Sequence, residues 1–550
     1  MPVLKQMVDF QAIGQVKQPS GQMPVPQSGE RPIHYADRVG EWYVAGRSDK
    51  QRKDYGLFLT PTAVADYMAS RIMTNMGVIR ALDPAAGAGI LCCAAVEALV
   101  SREQKPVSIE VVAFEIDAGL IAPLRAVLDY LSDWCAHEHG VDVAVRVRVK
   151  DFILANALVL EPDGLWLTQQ AGKSFDIVIA NPPYFKIGKH DPRAVAASGV
   201  VHGQPNIYAL FMAVAAAMLR ERGDFVFITP RSFASGPYFH RFRNVFFGMI
   251  RPTAVHVFDC RRSAFRRDAV LQENVIISGR RDDDWSKNRA GSRLTISSSL
   301  GIRDIDALQK RDIPLRTVLD PESEDRVLRL PLCEGDENVL ALIDSWPSSL
   351  EDQGLRISTG PVVPFRATEF TAREGKVPES HVPLLWMNHV RAMQAIWPIA
   401  RHKPEYIACA GAEKLLVPNR NYVLIRRFSA KEERRRLTAA PYLASKLPVP
   451  RIGLENHLNY IHRPGGDLSA DEAWGLAALY NSKLLDTWFR TINGNTQVSA
   501  TELRGMRLPA SEVIVSLGRK VRKMREPMEN LDELVSEYFA PTEGRVAAIG

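Results

Sequence analysis

The stretch FDIVIANPPYFKIG, residues 175–188, decides how the rest of this sequence is read. FDIVIA is short, apolar and β-branched and ends at a turn signal, the pattern of a strand buried on both faces. Two prolines follow, and because they lack an N–H and fix φ they cannot extend a ladder. The chain therefore turns at Asn181, at the carboxyl end of a strand, where open α/β sheets hold their ligands. A polar amide and an exposed aromatic ring at that point are suited to gripping something.

Outward from this stretch, strand-like and helix-like segments alternate from about residue 55 to 280. This predicts an α/β fold with a mostly parallel sheet and helices on both faces. The seven expected strands are 79–83, 111–116, 143–151, 175–181, 224–230, 254–259 and 271–278. NIYALFMAVAAAMLRER (206–222) is expected as a helix covering the sheet. No long helix separates the last two strands, which suggests an antiparallel hairpin at one edge. DDDWSKNRAGS (282–292) reads as a polar, solvent-exposed loop.

At 550 residues the chain exceeds one ordinary domain. Residues 1–35, rich in Gln, Pro and Gly, are expected as a flexible arm. Residues 36–335 form the expected catalytic domain. Residues 336–550, irregular and dense in Pro, Arg, Asn and Trp, form a second domain of mixed α+β type. The composition, 46% hydrophobic and 24% charged, is that of a globular protein. Lys plus Arg exceed Asp plus Glu by 69 − 63 = 6, a modest basic excess that permits nucleic-acid binding without requiring it. No apolar run approaches the ~20 residues of a spanning helix, and MPVLKQMVDFQAIGQ lacks the layout of a secretory signal. Cysteines at 92, 93, 135, 260, 333 and 409 show no CxxC spacing. That argues against a disulfide framework or a zinc site and for a reducing cytoplasm.

LDPAAGAGILCCAAVEAL (82–99) reads as a strand, a small-residue turn and a helix. Gly87 and Gly89 let the backbone approach a ligand, and the helix offers N–H groups. Alone this is weak, since a tight packing turn looks the same and no phosphate-binding Lys-Ser/Thr ending follows. Glu115 ends the next strand, where a carboxylate can accept ribose hydroxyl hydrogens. Asp151 and Phe152 follow the third strand, placed for an adenine amino group and ring. Either carboxylate alone is ordinarily a loop charge or helix cap. Glycine turn, Glu115, Asp151 and Asn181 ending four successive strands suit an adenosine-containing cofactor without a pyrophosphate.

DPAAGAG, FEID, KDF and NPPY, in that order, resemble the S-adenosylmethionine-dependent DNA N6-adenine methyltransferases of restriction–modification systems. YGLFLTPTAVADYMASRI (55–72) ahead of the glycine turn resembles their gamma class, the TaqI-like enzymes. The resemblance implies a Rossmann-like seven-stranded methyltransferase sheet followed by a target-recognition domain. It runs motif by motif over about 50–280, and more loosely through LYNSKLLDTWFR and GNTQVSATELRGMRLP. It implies that Thr60 and Pro61 contact the methionine carboxylate. Asp83, Ala85, Gly87 and Gly89 form the methionine-side pocket, Glu115 and Ile116 the ribose region, and Asp151 and Phe152 the adenine site. Asn181, Pro182, Pro183 and Tyr184 match the catalytic tetrapeptide. Phe265 is the looser match to a second aromatic that stacks on the target base. Where some relatives carry Glu in the first loop, this chain has Asp83.

The chemistry accounts for these residue types. An exocyclic adenine amine is a poor nucleophile because its lone pair is delocalised into the ring. The Asn181 side-chain oxygen and the Pro182 carbonyl can accept its two hydrogens and favour a pyramidal nitrogen, so transfer needs positioning and electrostatics more than a strong base. Tyr184 offers a ring for an extruded base, worth ~1–3 kcal/mol of stacking. The plain alternative for NPPY is a structural Asn-Pro turn with a core tyrosine. Protein glutamine methylation, RNA guanine methylation, cytosine N4 methylation and a non-catalytic DNA-binding module stay open as rival functions.

In the C-terminal half, PVVPFRATEF (361–370), PLLWMNHVRAM (383–393), NRNYVLIRRF (419–428) and NTQVSATELRG (495–505) combine Arg, Asn, Gln and aromatics, as DNA contacts do. Each alone is ordinary surface. KEERRR (431–436) reads as a solvated helix face. The expected partner is double-stranded DNA, with a separate restriction endonuclease, no membrane, monomeric action and a bacterial or archaeal cytoplasm.

Overall fold

The computed structural model describes residues 21–45, 59–160, 174–258, 273–287, 291–302, 304–305, 309–372, 380–399, 403–494 and 496–539. By its internal contacts the chain divides into one unit of residues 1–234 and 238–328 and a second of 235–237 and 329–550. The long run of the second unit thus starts at Arg329, against the expected boundary at 336.

The first unit is built on β1 (Val78–Asp83), β2 (Ser108–Phe114), β3 (Asp142–Arg148), β4 (Phe175–Ala180), β5 (Leu219–Pro230), β6 (Ile250–Phe258), β7 (Asn274–Arg281), β8 (Arg293–Ser299) and β9 (Gln309–Pro314). They form one sheet in the order β3-β2-β1-β4-β5-β7-β6-β8-β9. β1 to β5 pair in parallel, whereas β7 runs antiparallel to both β5 and β6. The chain winds outward from β1 to β3 and then crosses back to lay β4 beside β1. That crossing is the topological switch point, where a crevice opens at the carboxyl ends of the strands. β4 is buried along its whole length, as its unbroken apolar run requires.

All seven expected strands form, but the sheet has nine, correcting the count. β8 (RLTISSS) and β9 (QKRDIP) are too polar to read as strands. β8 is nonetheless buried because Ser297 and Ser299 bond the two nitrogens of the buried His256, each at 3.0 Å. The charges of β9 suit an edge strand, where they oppose pairing with another chain. The expected hairpin lies inside the sheet instead of at its edge. The helix expected over 206–222 stops at Met218, because Leu219 turns to extended backbone and begins β5.

One sheet face is covered by helices Ile90–Val100 and Ala118–Trp134, and helix Pro32–Ala45 packs on both. That last helix begins inside the arm expected over 1–35, so residues 32–35 belong to it, while residues 1–20 lie outside the described residues. Ile33, Tyr35, Ala36, Val39 and Tyr43 are buried, a helical spacing that the surrounding Gln-Pro composition masks. Buried Glu97 anchors its start, accepting from Ile33 N and Arg31 Nε at 2.7 Å each. The loop read as exposed at 282–292 holds a buried Trp285, whose Nε1 donates to the Phe247 carbonyl at 2.8 Å.

The second unit is of mixed α+β type. It holds a four-stranded antiparallel sheet in the order Arg356–Thr359, Leu458–His462, Tyr422–Arg426, Ala439–Tyr442, and a five-stranded mixed sheet. Helices Glu334–Asp344, Ala470–Asn481, Lys483–Ile492, Ala500–Arg504, Ser511–Val521 and Leu531–Phe539 accompany the sheets. KEERRR is not a helix, and Arg436 is buried: its Nε donates to Ser429 Oγ at 2.9 Å and its Nη2 to Asn493 Oδ1 at 3.0 Å. No helix among the described residues is long and apolar enough to cross a membrane.

Candidate active site

The glycine turn after β1 is held from both sides. Asp83 is buried at the strand end, and its carboxylate accepts from Ala85 N at 3.0 Å and from the Cys92 thiol at 3.8 Å. Burial pushes this carboxyl up to about 7; the Ala85 N–H opposes the shift and the nearby Glu115 charge adds to it. Gly87 has φ +56° and Gly89 φ +90°, the left-handed region that favours glycine. A Cβ on Gly87 would meet nothing within 4 Å, so the backbone faces open space. A Cβ on Gly89 would meet Leu124 at 3.0 Å, so here glycine serves packing, just before helix Ile90–Val100.

Glu115, just past β2, accepts from Gly87 N at 2.9 Å, Ile116 N at 2.8 Å and Asp117 N at 2.7 Å. Burial raises its carboxyl above the usual range, and the three N–H groups pull against that. It therefore ties the glycine turn to the end of β2 while retaining lone pairs for a ligand. Ile116 beside it is 52% exposed.

Asp151 caps helix Phe152–Asn156, accepting from Leu154 N at 2.9 Å. Phe152 is buried, edge-on to Phe114 at 5.2 Å and stacked on Phe211 at 5.4 Å. Its ring belongs to the core beneath the strand ends. Leu154, which the sequence reading passed over, is 47% exposed in the same short helix. An apolar residue left open beside a cap is a signal that burial reveals and helical periodicity over five residues cannot.

At the end of β4, Asn181 Nδ2 donates to the buried Thr60 Oγ1 at 2.9 Å. The Tyr184 hydroxyl lies 2.5 Å from Asn181 Oδ1 and 2.9 Å from the Ile228 carbonyl on β5. Burial raises this phenol well above its ordinary value, so it stays a neutral donor. The ring is half-buried rather than exposed, and meets Tyr208 edge-on at 6.2 Å. Pro61 precedes helix Thr62–Ala69 and its carbonyl accepts from Val64 N and Ala65 N at 3.0 Å each. Pro182 is buried and Pro183 half-buried. Thr60, Asn181 and Tyr184 are thus joined by side-chain bonds, and Asp83, Ala85, Gly87, Glu115 and Ile116 by the turn. Phe265 lies outside the described residues.

In the second unit, backbone bonds draw the four Arg- and aromatic-bearing segments together around residues 455–457. Glu455 N donates to Leu385 O at 3.0 Å, Asn456 N to Val362 O at 2.9 Å, Arg427 N to His457 O at 2.9 Å, and Val498 N to Arg427 O at 2.7 Å.

This arrangement has relatives. Residues 146–261, spanning Asp151 and the tetrapeptide, match the family model described as Eco57I restriction-modification methylase. The chain is 32% identical over 488 residues to the Type II methyltransferase M.PstI of Providencia stuartii, covering 88% of this chain and 93% of that protein. It is 31% identical over 493 residues to the Type II methyltransferase M.BsuBI of Bacillus subtilis, with the same coverage. A solved structure of the type IIG restriction endonuclease BpuSI aligns with 92% of this chain and 66% of its own, at 15% identity and a TM-score of 0.40, too low to bear on function. The chain belongs to the Type II methyltransferases of restriction–modification systems, a family of DNA methyltransferases. Its cofactor is S-adenosylmethionine.

The residues present fit that cofactor. The turn leaves open space at Gly87, Asp83 and Glu115 bring carboxylates to adjacent strand ends, and Ile116 and Leu154 leave apolar surface for a ring.

Proposed function

We propose that this chain methylates the N6 amine of adenine at a specific sequence in duplex DNA. The observation that carries this reading is the fixing of Asn181: its amide is held by Thr60 on one side and Tyr184 on the other, next to the Pro182 carbonyl. A carbonyl oxygen has two lone pairs, so Asn181 Oδ1 can accept both the phenol and one amine hydrogen, and the Pro182 carbonyl accepts the second. An acceptor set before the substrate arrives costs no reorganisation when charge develops on nitrogen.

S-adenosylmethionine, when bound, supplies an electrophilic methyl group on a positively charged sulfur. The chain's part is to hold Asp83 and Glu115 at the cofactor's polar groups and the amine's lone pair toward the methyl. Asp151, Phe152, Ile116 and Leu154 border the adenosine end, and Thr60 and Pro61 the methionine end. Tyr184 is tethered through its hydroxyl, so its ring supplies a fixed edge of the pocket that receives a flipped base; Phe265 is assigned to the opposite face of that base. The 329–550 unit reads the sequence. The chain acts as a monomer, in the cytoplasm of a bacterial or archaeal cell, and protects DNA from a separate endonuclease.

Methyl transfer from labelled S-adenosylmethionine to mixed genomic DNA, followed by single-molecule sequencing, tests this. N6-methyladenine at one short motif is expected. N4-methylcytosine would overturn the choice of base, and label in protein or RNA alone would overturn the DNA reading.

A further inference from the structure

Glu455 sits in LENH (454–457), between strands Arg451–Leu454 and Leu458–His462, and is fully buried. Its carboxylate faces His457, whose Nδ1 is its ion-pair partner and whose backbone N–H also favours the charged form. Burial raises this carboxyl, while His457 and Lys403 oppose the shift. A fully buried carboxylate that leans on one residue for its close contacts is expensive for a fold to keep, and calls for a reason beyond stability.

The surroundings give one. With Nδ1 turned to the carboxylate, the open edge of the His457 ring, whose side chain is 45% exposed, carries Nε2. Phe428 meets that ring edge-on at 5.0 Å and fixes its plane. Arg427 is committed elsewhere: Nη1 donates to Asn456 O at 2.8 Å, and the Gln497 side-chain oxygen accepts from Nη2 at 2.7 Å and Nε at 3.1 Å. Arg427 is therefore a brace across the loops. The Asn456 side-chain oxygen is buried with no partner. Val362 pairs with Glu455, and three residues on Phe365 stands 77% exposed beside the exposed Arg366. An exposed cation and an open aromatic ring on the segment that pairs with Glu455 suit a nucleic-acid surface.

We propose that His457 reads one base pair of the target, with Glu455 as the positioning residue that decides which imidazole edge faces the duplex. This rests on the reading of the chain as a DNA methyltransferase acting at a specific sequence. An imidazole nitrogen can donate to, or accept from, a base edge in the major groove. A contact to a base edge changes one position of the motif, whereas a contact to phosphate weakens all sequences alike and lowers the salt slope.

The test is methylation of a randomised duplex library by wild type, His457→Ala and Glu455→Gln, read by sequencing, with thermal unfolding and the salt dependence of DNA binding measured in parallel. Discrimination at one base pair is expected to fall roughly 10- to 100-fold in His457→Ala. Glu455→Gln, which keeps the shape, is expected to relax the same position less, with the wild-type salt slope in both variants. An unchanged motif in a folded variant, or an even loss at every position, overturns the assignment. If His457→Ala does not fold, Glu455→Gln alone decides by the same criterion. A wild-type protein that methylates no DNA overturns the parent reading itself, before any variant is compared.

Discussion

Two glutamates, the half-buried Glu115 and the fully buried Glu455, are held in different ways in the two units. Glu115 accepts three backbone N–H groups from the turns it joins. Glu455 is held through a single residue, His457, whose imidazole is its ion-pair partner and whose backbone N–H also favours its charged form. Backbone donors come with the fold, and any side chain of the right length can use them. A single side-chain partner exists only because a particular residue was put there. On the readings proposed above, the first arrangement serves the cofactor and the second serves recognition of the target.

The largest effect bears on the pocket beside Glu115. Asn181→Ala is expected to lower kcat by about 10²- to 10³-fold, the usual range for removing one preorganised polar contact, with cofactor affinity nearly unchanged. Steady-state turnover and equilibrium dialysis separate the two, and near-normal turnover would sink the mechanism. Next, Glu115→Ala strands N–H groups inside the turn, at ~1–3 kcal/mol for each that water cannot reach. Cofactor affinity is expected to fall by ~100-fold or more on that basis, and the unfolding temperature with it. An affinity within threefold of wild type would erase the contrast between the glutamates.

Acidity sharpens the comparison. Burial holds the Asp83 carboxyl at about 7 in the fold, against an ordinary 3.8. Between those values the folded chain binds more protons than the unfolded one, so stability from this group is present at low pH and is lost as pH rises through about 7. The cofactor's cationic groups favour the ionised carboxyl, so affinity should climb with pH toward 7 and level off above it. Titration calorimetry across pH 5–8 measures this; a wild-type profile as flat as that of Asp83→Asn would remove Asp83 from the pocket. The smallest effect is on Glu455→Gln, expected to shift unfolding by less than ~1 kcal/mol, since losing a buried charge offsets losing its partner. A shift as large as that of Glu115→Ala would make both glutamates structural.

Local patterns made most of the first unit legible. β4 is apolar along its length, and the glycines, Glu115 and Asp151 each stand at a strand end where a period-two run stops. β8 was missed because its burial depends on a hydrogen-bonding partner, His256, some forty residues away in sequence, and β9 because its charged residues read as surface. Helix Pro32–Ala45 was missed because composition outweighed its spacing. Phe152 is expected at the adenine pocket, and its ring contacts to Phe114 and Phe211 are ones that only the folded sheet brings to it. In the second unit the segments were visible and their convergence was not. LENH drew no attention because four residues between two short strands carry no period, and what distinguishes Glu455 is what lies around it.

The order of the sheet also sets a timetable. β7 lies between β5 and β6, although it follows both in the chain. A nascent chain leaving the ribosome can pair β1 to β5 as each appears, but β6 has no neighbour in the growing sheet until β7 emerges. During that interval β5 presents an open edge rich in Phe, Val and Ile, the kind of edge that invites pairing with a neighbouring chain. The seam closes when Asp224 on β5 meets Arg280 on β7 at 3.3 Å, so synthesis must pass residue 281 before the catalytic half is safe from its own kind.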